Sequence, residues 1–382
     1  MSAATEHPVI CVVGARPNFM KMAPILRALA SHIPPIPALL VHTGQHYDRD
    51  MSDRLFDDLQ LPKPDINLEV GSGTHAVQTA EVMRRFEPIL DEKKPSCVIV
   101  VGDVNSTLAC TLVAVKKQIP VAHVEAGLRS FDRSMPEEIN RILTDQIADK
   151  LYTTERSAED NLNIEGVSSN RISFVGNVMI DTLKYSQKFA RSAADTLGEH
   201  GISSSILDDK NGYGVVTLHR PSNVDDEKTL ALLVRDLLLI SDRLPLLFAL
   251  HPRTRGNLDR FNLLKTIDNG RIVLLPPQGY LEMLGLMTGA ALVLTDSGGL
   301  QEETTALGVP CITLRENTER PITIEQGTNT LVGTDHSAIM SCVELVLSGQ
   351  GKKGRLPELW DGHAAERIAE DLWVWLSSNT RH

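Results

Sequence analysis

Short apolar runs alternate with longer segments of helical periodicity along most of the chain. Residues 9–13 and 97–101 are apolar at every position, which is typical of strands buried on both faces of a parallel sheet. Each of these runs ends at a glycine, and a helical pattern follows the first of them at residues 20–30. We therefore predict an α/β fold of parallel strands with helical crossovers. The strands predicted in the first half are residues 9–13, 39–42, 97–101, 121–124, 150–153 and 172–175.

A second series of strand patterns begins after residues 180–211, a polar and helical stretch without strong strand signals. Such a stretch suits a crossover between domains, so we predict two Rossmann-like halves rather than one large sheet. Near the C-terminus, apolar residues recur at helical spacing and form a stripe that must pack on another element, namely Ile368, Leu372, Trp375 and Leu376. The strands predicted in the second half are residues 215–218, 246–249, 272–275, 292–295, 311–314 and 330–332.

Length and composition are those of a soluble globular protein. A chain of 382 residues, with 42% hydrophobic and 23% charged residues, can hold two domains of ordinary size, each with its own core. The formal net charge of -11 argues against nucleic acid or an anionic membrane as the main partner, because either would require a basic face. A few local arginines are still enough to bind a nucleotide.

The five cysteines show no C-x-x-C spacing of the kind found in metal and redox sites. Three of them lie in apolar, strand-like runs, so we expect buried, reduced thiols in a cytoplasmic protein. The N-terminal sequence has no basic segment followed by an apolar stretch, and nowhere do about 18 apolar residues follow one another. We expect neither a signal peptide nor a membrane span. The cysteines are Cys11, Cys97, Cys110, Cys311 and Cys342.

Residues 292–321 combine several signals of nucleotide binding. They predict a strand, a turn formed by Ser297, Gly298 and Gly299, a helix and a second strand. Two glycines at a helix start leave backbone N–H groups uncovered, and the helix dipole favours an anion there. One turn later, Glu302 and Glu303 carry carboxylates, which accept the two hydroxyl hydrogen bonds that a ribose offers. Together these features predict a nucleotide diphosphate, although a Gly-Gly turn alone also serves close helix packing.

Three carboxylates of the first half lie where ligands bind in open α/β sheets. Asp103 and Glu125 directly follow predicted strands, and Glu137 lies at the start of the next helix. Crowding and burial raise carboxyl pKa values, so one of the three can donate a proton while another accepts one. Each also has an ordinary alternative, because aspartates after strands often cap helices and helical glutamates are usually solvated.

Basic residues accompany these carboxylates. Arg16 and Lys21 flank the carboxyl end of the first predicted strand, and we expect Arg16 to be functional, whereas a helical lysine is usually solvated. Glu137 and Arg141 are four residues apart in the order that favours a helical ion pair. His219 ends a strand in the second half, where function and a core position are both open.

Six motifs resemble those of the non-hydrolysing UDP-N-acetylglucosamine 2-epimerases, in the order of that family and over nearly the whole chain. As a set they are specific, although no single motif would be. They are GARPNFMKMAP (Gly14 to Pro24), GDVNSTLA (Gly102 to Ala109), HVEAGLRS (His123 to Ser130), MPEEINR (Met135 to Arg141), TLHRPSN (Thr217 to Asn223) and DSGGLQEE (Asp296 to Glu303) with TERP (Thr318 to Pro321).

The resemblance implies a GT-B fold, in which two Rossmann-like, doubly wound parallel-sheet domains face a central cleft. It implies a sugar-binding domain with the catalytic carboxylates at residues 1–176, a UDP-binding domain at 177–362 and, at 363–382, a final helix that packs back on the first domain. It also implies a homodimer and a role in the synthesis of surface polysaccharide or cell-envelope precursors.

Members of the resembled family interconvert UDP-N-acetylglucosamine and UDP-N-acetylmannosamine by eliminating UDP to 2-acetamidoglucal and adding it back. The resemblance implies that Asp103, Glu125 and Glu137 carry the proton transfers, without deciding which residue does which. Because no hydride moves, no nicotinamide is needed, and we expect no cofactor and no metal. The remaining family positions matched here are Lys21, Arg141 and His219 at the reaction centre, and Arg16, Ser297, Gly298, Gly299, Glu303 and Arg320 on the UDP side.

Two departures and several alternatives accompany the resemblance. After His219 the chain has Arg220-Pro221-Ser222-Asn223 where Arg-Arg-Glu is frequent, which affects the expected phosphate contacts. In the loop from Gln45, Asp48 replaces a glutamine associated with an allosteric substrate site in some members, so the resemblance does not extend to that site.

The alternatives are a GT-B glycosyltransferase, a hydrolysing epimerase, a nucleotide-sugar sensor and an epimerase of a modified sugar such as UDP-2,3-diacetamido-glucuronate.

Overall fold

The computed structural model describes residues 7–44 and 56–379, which fold as two compact units. Among the described residues, those up to Tyr185 and from Glu358 onward form the first unit, and Ser186–Pro357 form the second. Each unit contains one parallel sheet with helices between its strands, which confirms the predicted α/β fold with two Rossmann-like halves. The domain limits given above stay a prediction, since compactness alone does not test which segments fold independently.

The first unit has a sheet of seven parallel strands. Its strands are β1 (Val9–Val13), β2 (Ala38–His42), β3 (Ile66–Asn67), β4 (Cys97–Val101), β5 (Val121–Ala126), β6 (Lys150–Thr153) and β7 (Ile172–Phe174). Its helices up to the unit boundary are α1 (Arg16–Ser31), α2 (His75–Lys93), α3 (Asn105–Lys116), α4 (Pro136–Ile147), α5 (Arg156–Ile164) and α6 (Val178–Ser186). The strand order is β3-β2-β1-β4-β5-β6-β7.

The second unit has a sheet of six parallel strands in the order β10-β9-β8-β11-β12-β13. These are β8 (Gly214–Thr217), β9 (Leu246–Ala249), β10 (Ile272–Leu275), β11 (Leu292–Thr295), β12 (Cys311–Thr313) and β13 (Asn329–Leu331). Its helices are α7 (Ala193–Glu199), α8 (Pro221–Val224), α9 (Glu227–Ser241), α10 (Pro252–Arg260), α11 (Leu264–Ile267), α12 (Tyr280–Thr288), α13 (Gly298–Leu307), α14 (Pro321–Glu325) and α15 (His336–Leu347).

The strand order reverses once in each sheet, and both reversals lie beside residues expected to be functional. In the first sheet the chain moves outward from β1 to β3 and then returns to place β4 on the other side of β1. In the second sheet β8 and β11 meet in the same way. Loops at the carboxyl ends of such neighbouring strands diverge and leave a crevice, which is where open α/β sheets bind ligands.

Apolar strands explain why the sheets lie in the core. All residues of β1, β4 and β11 are buried, as their unbroken apolar sequences predict. The five cysteines are free thiols, of which Cys342 is the one that is not fully buried. Among the described residues, we find no helix that is long and apolar enough to span a membrane.

The last helix, α16 (Ala364–Asn379), lies in the first unit and packs on α1. Three residues of its predicted apolar stripe, Ile368, Leu372 and Leu376, are buried. Asp371 holds the middle of the helix to the sheet, because its carboxylate accepts hydrogen bonds from the Tyr152 hydroxyl at 3.0 Å and from Ser173 Oγ at 3.2 Å. Tyr152 is fully buried, so its hydroxyl depends on this partner.

Replacement of Asp371 should therefore destabilise the first unit. We expect Asp371→Ala to lower its free energy of unfolding by about 1–3 kcal/mol, because the Tyr152 hydroxyl is left buried without its acceptor. Tryptophan fluorescence during urea unfolding measures this unit selectively, since all three tryptophans, Trp360, Trp373 and Trp375, belong to it. The control Val374→Ala changes an exposed residue of the same helix and should cost less than about 0.5 kcal/mol. Equal losses in the two variants would contradict the assignment.

Candidate active site

The loop after β1 is fixed by the side chain of Asn18. Its Oδ1 accepts the N–H groups of Gly14 and Ala15 at 3.2 and 2.9 Å, and its Nδ2 donates to the Val101 carbonyl at 2.9 Å. Asn18 thus joins the carboxyl ends of β1 and β4, the two strands at the reversal of the first sheet. Arg16, at the first position of α1, is exposed beside this junction.

Lys21 and Glu125 form a buried ion pair at the same edge of the sheet. Lys21 Nζ lies 2.5 Å from Glu125 Oε2, and both side chains are almost inaccessible, with 6% and 3% exposure. Lys21 is therefore not the solvated helix residue that its position would ordinarily indicate. Gly102 lies next to this pair with a left-handed φ of 67°, which favours glycine, and a Cβ atom there would lie 3.0 Å from Lys21 Nζ.

The backbone of Glu125 is strained. Its φ of 71° lies in the left-handed region, which non-glycine residues rarely adopt, and the pairing of β5 with β6 shifts register at this point. Such a conformation persists only where neighbouring contacts hold it, and it is frequent at functional sites. In this conformation the Glu125 carboxylate contacts Lys21.

Asp103 and Arg141 are also paired. The guanidinium of Arg141 donates to Asp103 Oδ2 from Nε at 3.0 Å and from Nη2 at 2.7 Å. The structure thus brings together Asp103 with Arg141, and Glu125 with Lys21, at the carboxyl ends of the adjacent strands β4 and β5. Glu137 lies half-buried in the first turn of α4, one turn before Arg141.

The predicted ion pair between Glu137 and Arg141 was wrong. Among the described contacts, Arg141 pairs with Asp103 and, at 2.6 Å, with Glu138. Glu138 turns inward because its carboxylate also accepts the N–H groups of Ser130 and Phe131 at 3.0 and 2.9 Å, contacts that sequence spacing does not reveal. Glu137 is left with its carboxylate uncommitted to Arg141, which suits a residue that exchanges protons.

In the second unit, Asp296 holds His219 and the loop that follows it. Asp296 is fully buried, and its Oδ1 lies 3.0 Å from His219 Nδ1. The carboxylate also accepts the N–H groups of His219 and Arg220 and the Asn223 side-chain amide. Burial raises the pKa of Asp296, but the hydrogen bond and charge of His219, together with these donors, hold that pKa below its usual value. His219 is therefore not an isolated core histidine.

The helix α13 begins at the predicted glycine turn. Its N-cap residue, Ser297, makes no side-chain capping hydrogen bond, so the first turn keeps backbone N–H groups for an anion. A Cβ atom at Gly298 would lie 2.8 Å from Glu319 Oε1 and 3.1 Å from Arg320 Nη1, whereas the space around Gly299 is open. Gly298 thus allows Arg320 to approach the helix start.

Arg320 belongs to a buried charged cluster beside that helix start. Its Nη1 lies 2.7 Å from Glu319 Oε1 and its Nε 3.0 Å from Glu302 Oε1, while Arg315 Nη2 lies 2.9 Å from Glu319 Oε2. Burial raises the pKa of Glu319, but the charges of Arg320 and Arg315 outweigh this effect and hold it well below its usual range. Glu319 therefore stays ionised and fixes both guanidinium groups.

Glu303 is buried on α13, close to Tyr280 at the start of α12. Burial and the Glu303 carboxylate, through its charge and a hydrogen bond, raise the pKa of Tyr280 well above its usual value.

Among the described residues, no three His, Cys, Asp or Glu side chains lie close enough together to hold a metal ion. The loop from Gln45 to Asp48, singled out for its sequence, lies outside the described residues.

Sequence reasoning missed Asn18, Glu138, Asp296, Arg315 and Glu319 as supporting residues of the site. A signal existed for Asp296, because it directly follows β11, which pairs with β8, the strand that leads to His219. Glu319 stands in the TERP motif, which carries no signal of an ion pair. Its role depends on a distance between β12 and α13 that the sequence does not contain.

Substitution of the adjacent glutamates should separate their roles in stability. Burial raises the pKa of Glu138, but the Ser130 N–H and Arg141 lower it overall. Because the pKa of Glu138 is lower in the folded protein than in the unfolded chain, its ionised carboxylate stabilises the first unit at pH values above about 4.3, the ordinary glutamate pKa. This stabilisation is lost as the pH falls through the pKa of the folded state. We expect Glu138→Gln to have a lower free energy of unfolding than the wild type. In urea unfolding followed by tryptophan fluorescence, this difference should shrink as the pH is lowered from about 5 to about 3.

The matched control for this experiment is Glu137→Gln, one residue away on the same helix. It lacks the hydrogen bonds of Glu138, so its unfolding midpoint should run parallel to that of the wild type over the same range. A deficit of Glu138→Gln that stays constant with pH, or an equal effect of Glu137→Gln, would contradict the description of Glu138.

Comparison with known proteins places the chain in a family. The UDP-N-acetylglucosamine 2-epimerase family model matches residues 30–372. The chain is 43% identical over 365 residues to the UDP-N-acetylglucosamine 2-epimerase of Methanocaldococcus jannaschii, which covers 94% of this chain and 97% of that protein. It is 40% identical to the UDP-2,3-diacetamido-2,3-dideoxy-D-glucuronate 2-epimerase of Pseudomonas aeruginosa, with 95% and 99% covered.

The fold agrees with these relationships. The crystal structure of the M. jannaschii UDP-GlcNAc 2-epimerase in complex with UDP-GlcNAc and UDP matches with a TM-score of 0.85 at 42% identity, covering 96% of this chain and 99% of that chain. The GT-B-like fold predicted from the sequence is thereby confirmed. With a family match over most of its length and relatives above 40% identity, the chain belongs to the UDP-N-acetylglucosamine 2-epimerase family.

Proposed function

We propose that this protein is a non-hydrolysing UDP-N-acetylglucosamine 2-epimerase, an isomerase that interconverts UDP-N-acetylglucosamine and UDP-N-acetylmannosamine. The observation that carries the proposal is the strained, buried Glu125, paired with Lys21 next to the Asp103–Arg141 pair. Binding of a nucleotide sugar alone does not require acidic residues at two adjacent strand ends. Chemistry that removes and returns a proton does.

The reaction begins with departure of UDP. The hydrogen at C2 of the sugar is not acidic in the ground state, but cleavage of the bond between C1 and the phosphate oxygen builds positive charge at C1. A carboxylate base then removes the C2 proton and leaves 2-acetamidoglucal. For the return step, a proton is delivered to the opposite face of C2 and UDP adds again to C1. We assign these transfers to Asp103, Glu125 and Glu137, with Arg141 paired to Asp103 and Lys21 paired to Glu125.

The second unit binds UDP in this proposal. The start of α13, with Ser297, Gly298 and Gly299, accepts the diphosphate through its uncovered N–H groups. Arg320 and His219 neutralise the charge of the leaving group. Glu303 accepts hydrogen bonds from the ribose hydroxyls.

A GT-B glycosyltransferase would share the nucleotide-binding turn. It would need an acceptor site and usually one base, so the second paired carboxylate of the first unit would have no task. A hydrolysing epimerase would take the same first step but release free N-acetylmannosamine and UDP. No described observation favours either of these alternatives.

Proton NMR of UDP-N-acetylglucosamine incubated with the protein in D2O tests the function. We expect deuterium at C2 together with a new anomeric signal of UDP-N-acetylmannosamine, because the proton returned to C2 comes from solvent-exchanged carboxyl groups. Free N-acetylmannosamine with UDP would place the protein in the hydrolysing class. No exchange at C2 in a preparation that binds UDP would reject this substrate, and UDP-2,3-diacetamido-glucuronate would be tested next under the same conditions.

We also propose a homodimer, supported by an apolar face of the first unit. A groove of about 540 Å³ between α2 and α4 is lined by side chains that include Met83 and Ile139, and Val77 and Leu143 of the same helices are exposed. Apolar surface of this kind favours association with a second copy.

A cytoplasmic location is supported by the free thiols. The expected role in polysaccharide precursor synthesis is part of the same proposal.

Sedimentation equilibrium tests the homodimer. We expect twice the chain mass of 41.9 kDa for the wild type, and a shift towards the monomer for Leu143→Glu, because the substitution places a charge in the apolar contact. The control Leu232→Glu changes an exposed leucine of the second unit and should leave the dimer intact. A monomeric wild type at micromolar concentration would refute the homodimer.

A further inference from the structure

His123 is a fully buried histidine whose two ring nitrogens both face oxygen acceptors. Nδ1 lies 2.7 Å from Asp145 Oδ1, and Nε2 lies 2.8 Å from the carbonyl oxygen of Gly102. Neither His123 nor Asp145 has any exposed surface. The proposed reaction assigns no step to either of them.

A neutral imidazole carries one N–H group and can satisfy only one of these acceptors. A buried carbonyl or carboxylate that faces a lone pair instead of a donor would be destabilising. The ring must therefore direct an N–H group towards these buried acceptors, and both lie within hydrogen-bond distance of it. Asp145 is itself held in place, since its Oδ2 lies 2.7 Å from Arg129 and Arg129 lies 2.7 Å from Glu165.

The two hydrogen bonds of His123 lead to the loops of two of the three carboxylates of the candidate active site, Asp103 and Glu125. Gly102, whose carbonyl accepts the Nε2 bond, immediately precedes Asp103, and its N–H donates to the Val124 carbonyl at 3.1 Å. Asp145, which accepts the Nδ1 bond, also accepts the N–H of Gly127 at 3.0 Å, two residues after Glu125. One ring thus connects the loops that carry Asp103 and Glu125.

We propose that His123, held between the Asp145 carboxylate and the Gly102 carbonyl, is a positioning residue that fixes the backbone on which Asp103 and Glu125 are presented to the substrate. This inference rests on the proposed function for the identity of the reaction. It predicts that the Gly102 bond governs the turnover rate, because displacement of a reacting group by about 1 Å can cost about 100-fold in rate. A histidine that only fills the core would affect stability and leave the rate of the folded enzyme unchanged.

Two amide substitutions separate the bonds of the ring. Glutamine has the same number of bonds from Cβ to its amide nitrogen as histidine has to Nε2, so His123→Gln can still donate to Gly102. Asparagine places its amide nitrogen at the position of Nδ1, so His123→Asn can donate to Asp145 but cannot reach Gly102. Each variant loses one buried hydrogen bond, and His123→Gln should lose at least as much stability as His123→Asn, because its lost bond is the one to a carboxylate.

For the proposal we expect His123→Asn to lose about 100-fold in kcat, while His123→Gln stays within about 5-fold of the wild type. The KM for UDP-N-acetylglucosamine and the affinity for UDP should remain within about 2-fold in both variants, because the UDP contacts are elsewhere. The control Tyr152→Phe removes a buried hydrogen bond far along the chain in the same unit and should lower stability without changing kcat. Equal kcat values in the Asn and Gln variants would overturn the proposal.

A readout independent of activity covers the case in which the proposed function fails. In protein labelled with 15N-histidine, the wild type should show a protected ring N–H signal of His123 that disappears in both variants at position 123. Amide hydrogen exchange at residues 102 and 103 should accelerate in His123→Asn and not in His123→Gln. The absence of a protected ring N–H signal, or equal exchange in the two variants, would overturn the inference whether or not the enzyme acts on UDP-N-acetylglucosamine.

Discussion

The buried ion pair between Lys21 and Glu125 is the constraint on which the first unit depends. At 2.5 Å and with almost no exposed surface, neither charge can be placed without the other, since an unpaired buried charge costs about 3–5 kcal/mol. Beside the pair, Gly102 has a left-handed φ of 67°, and a Cβ atom there would lie 3.0 Å from the ammonium nitrogen. The pair also helps to hold the left-handed backbone of Glu125. A strained carboxylate and a buried lysine thus meet in one contact.

Both units use the same physical arrangement with different chemistry. At the carboxyl ends of the strands in each sheet, a buried acid fixes a basic partner: Glu125 fixes Lys21 in the first unit, and Asp296 fixes His219 in the second. Groups that the fold orients in this way form a preorganised electrostatic arrangement. The buried Glu319 extends this arrangement to two arginines beside the start of α13.

Much of the fold was predictable because parallel strands buried on both faces are apolar at every position. β1, β4 and β11 were predicted at the residues where they occur. Short or less regular elements such as β3 gave no such signal. The glycine turn at Gly298 was predicted because helix starts have a local sequence signature. The error in pairing Glu137 with Arg141 came from applying a helical spacing rule where Glu138 is turned inward by backbone N–H groups of a distant loop. Contacts of this kind, including those of Asp296 and Glu319, depend on tertiary distances.

The central claim is a division of tasks, with proton transfer in the first unit and UDP binding in the second. Two measurements on one preparation of Asp103→Asn test this division most directly. One is a calorimetric titration with UDP, and the other is the rate of deuterium exchange at C2 of the substrate. The account predicts that the affinity for UDP stays within about 2-fold of the wild type while exchange at C2 falls by at least about 100-fold. A large loss of UDP affinity, or exchange that continues at the wild-type rate, would contradict the account.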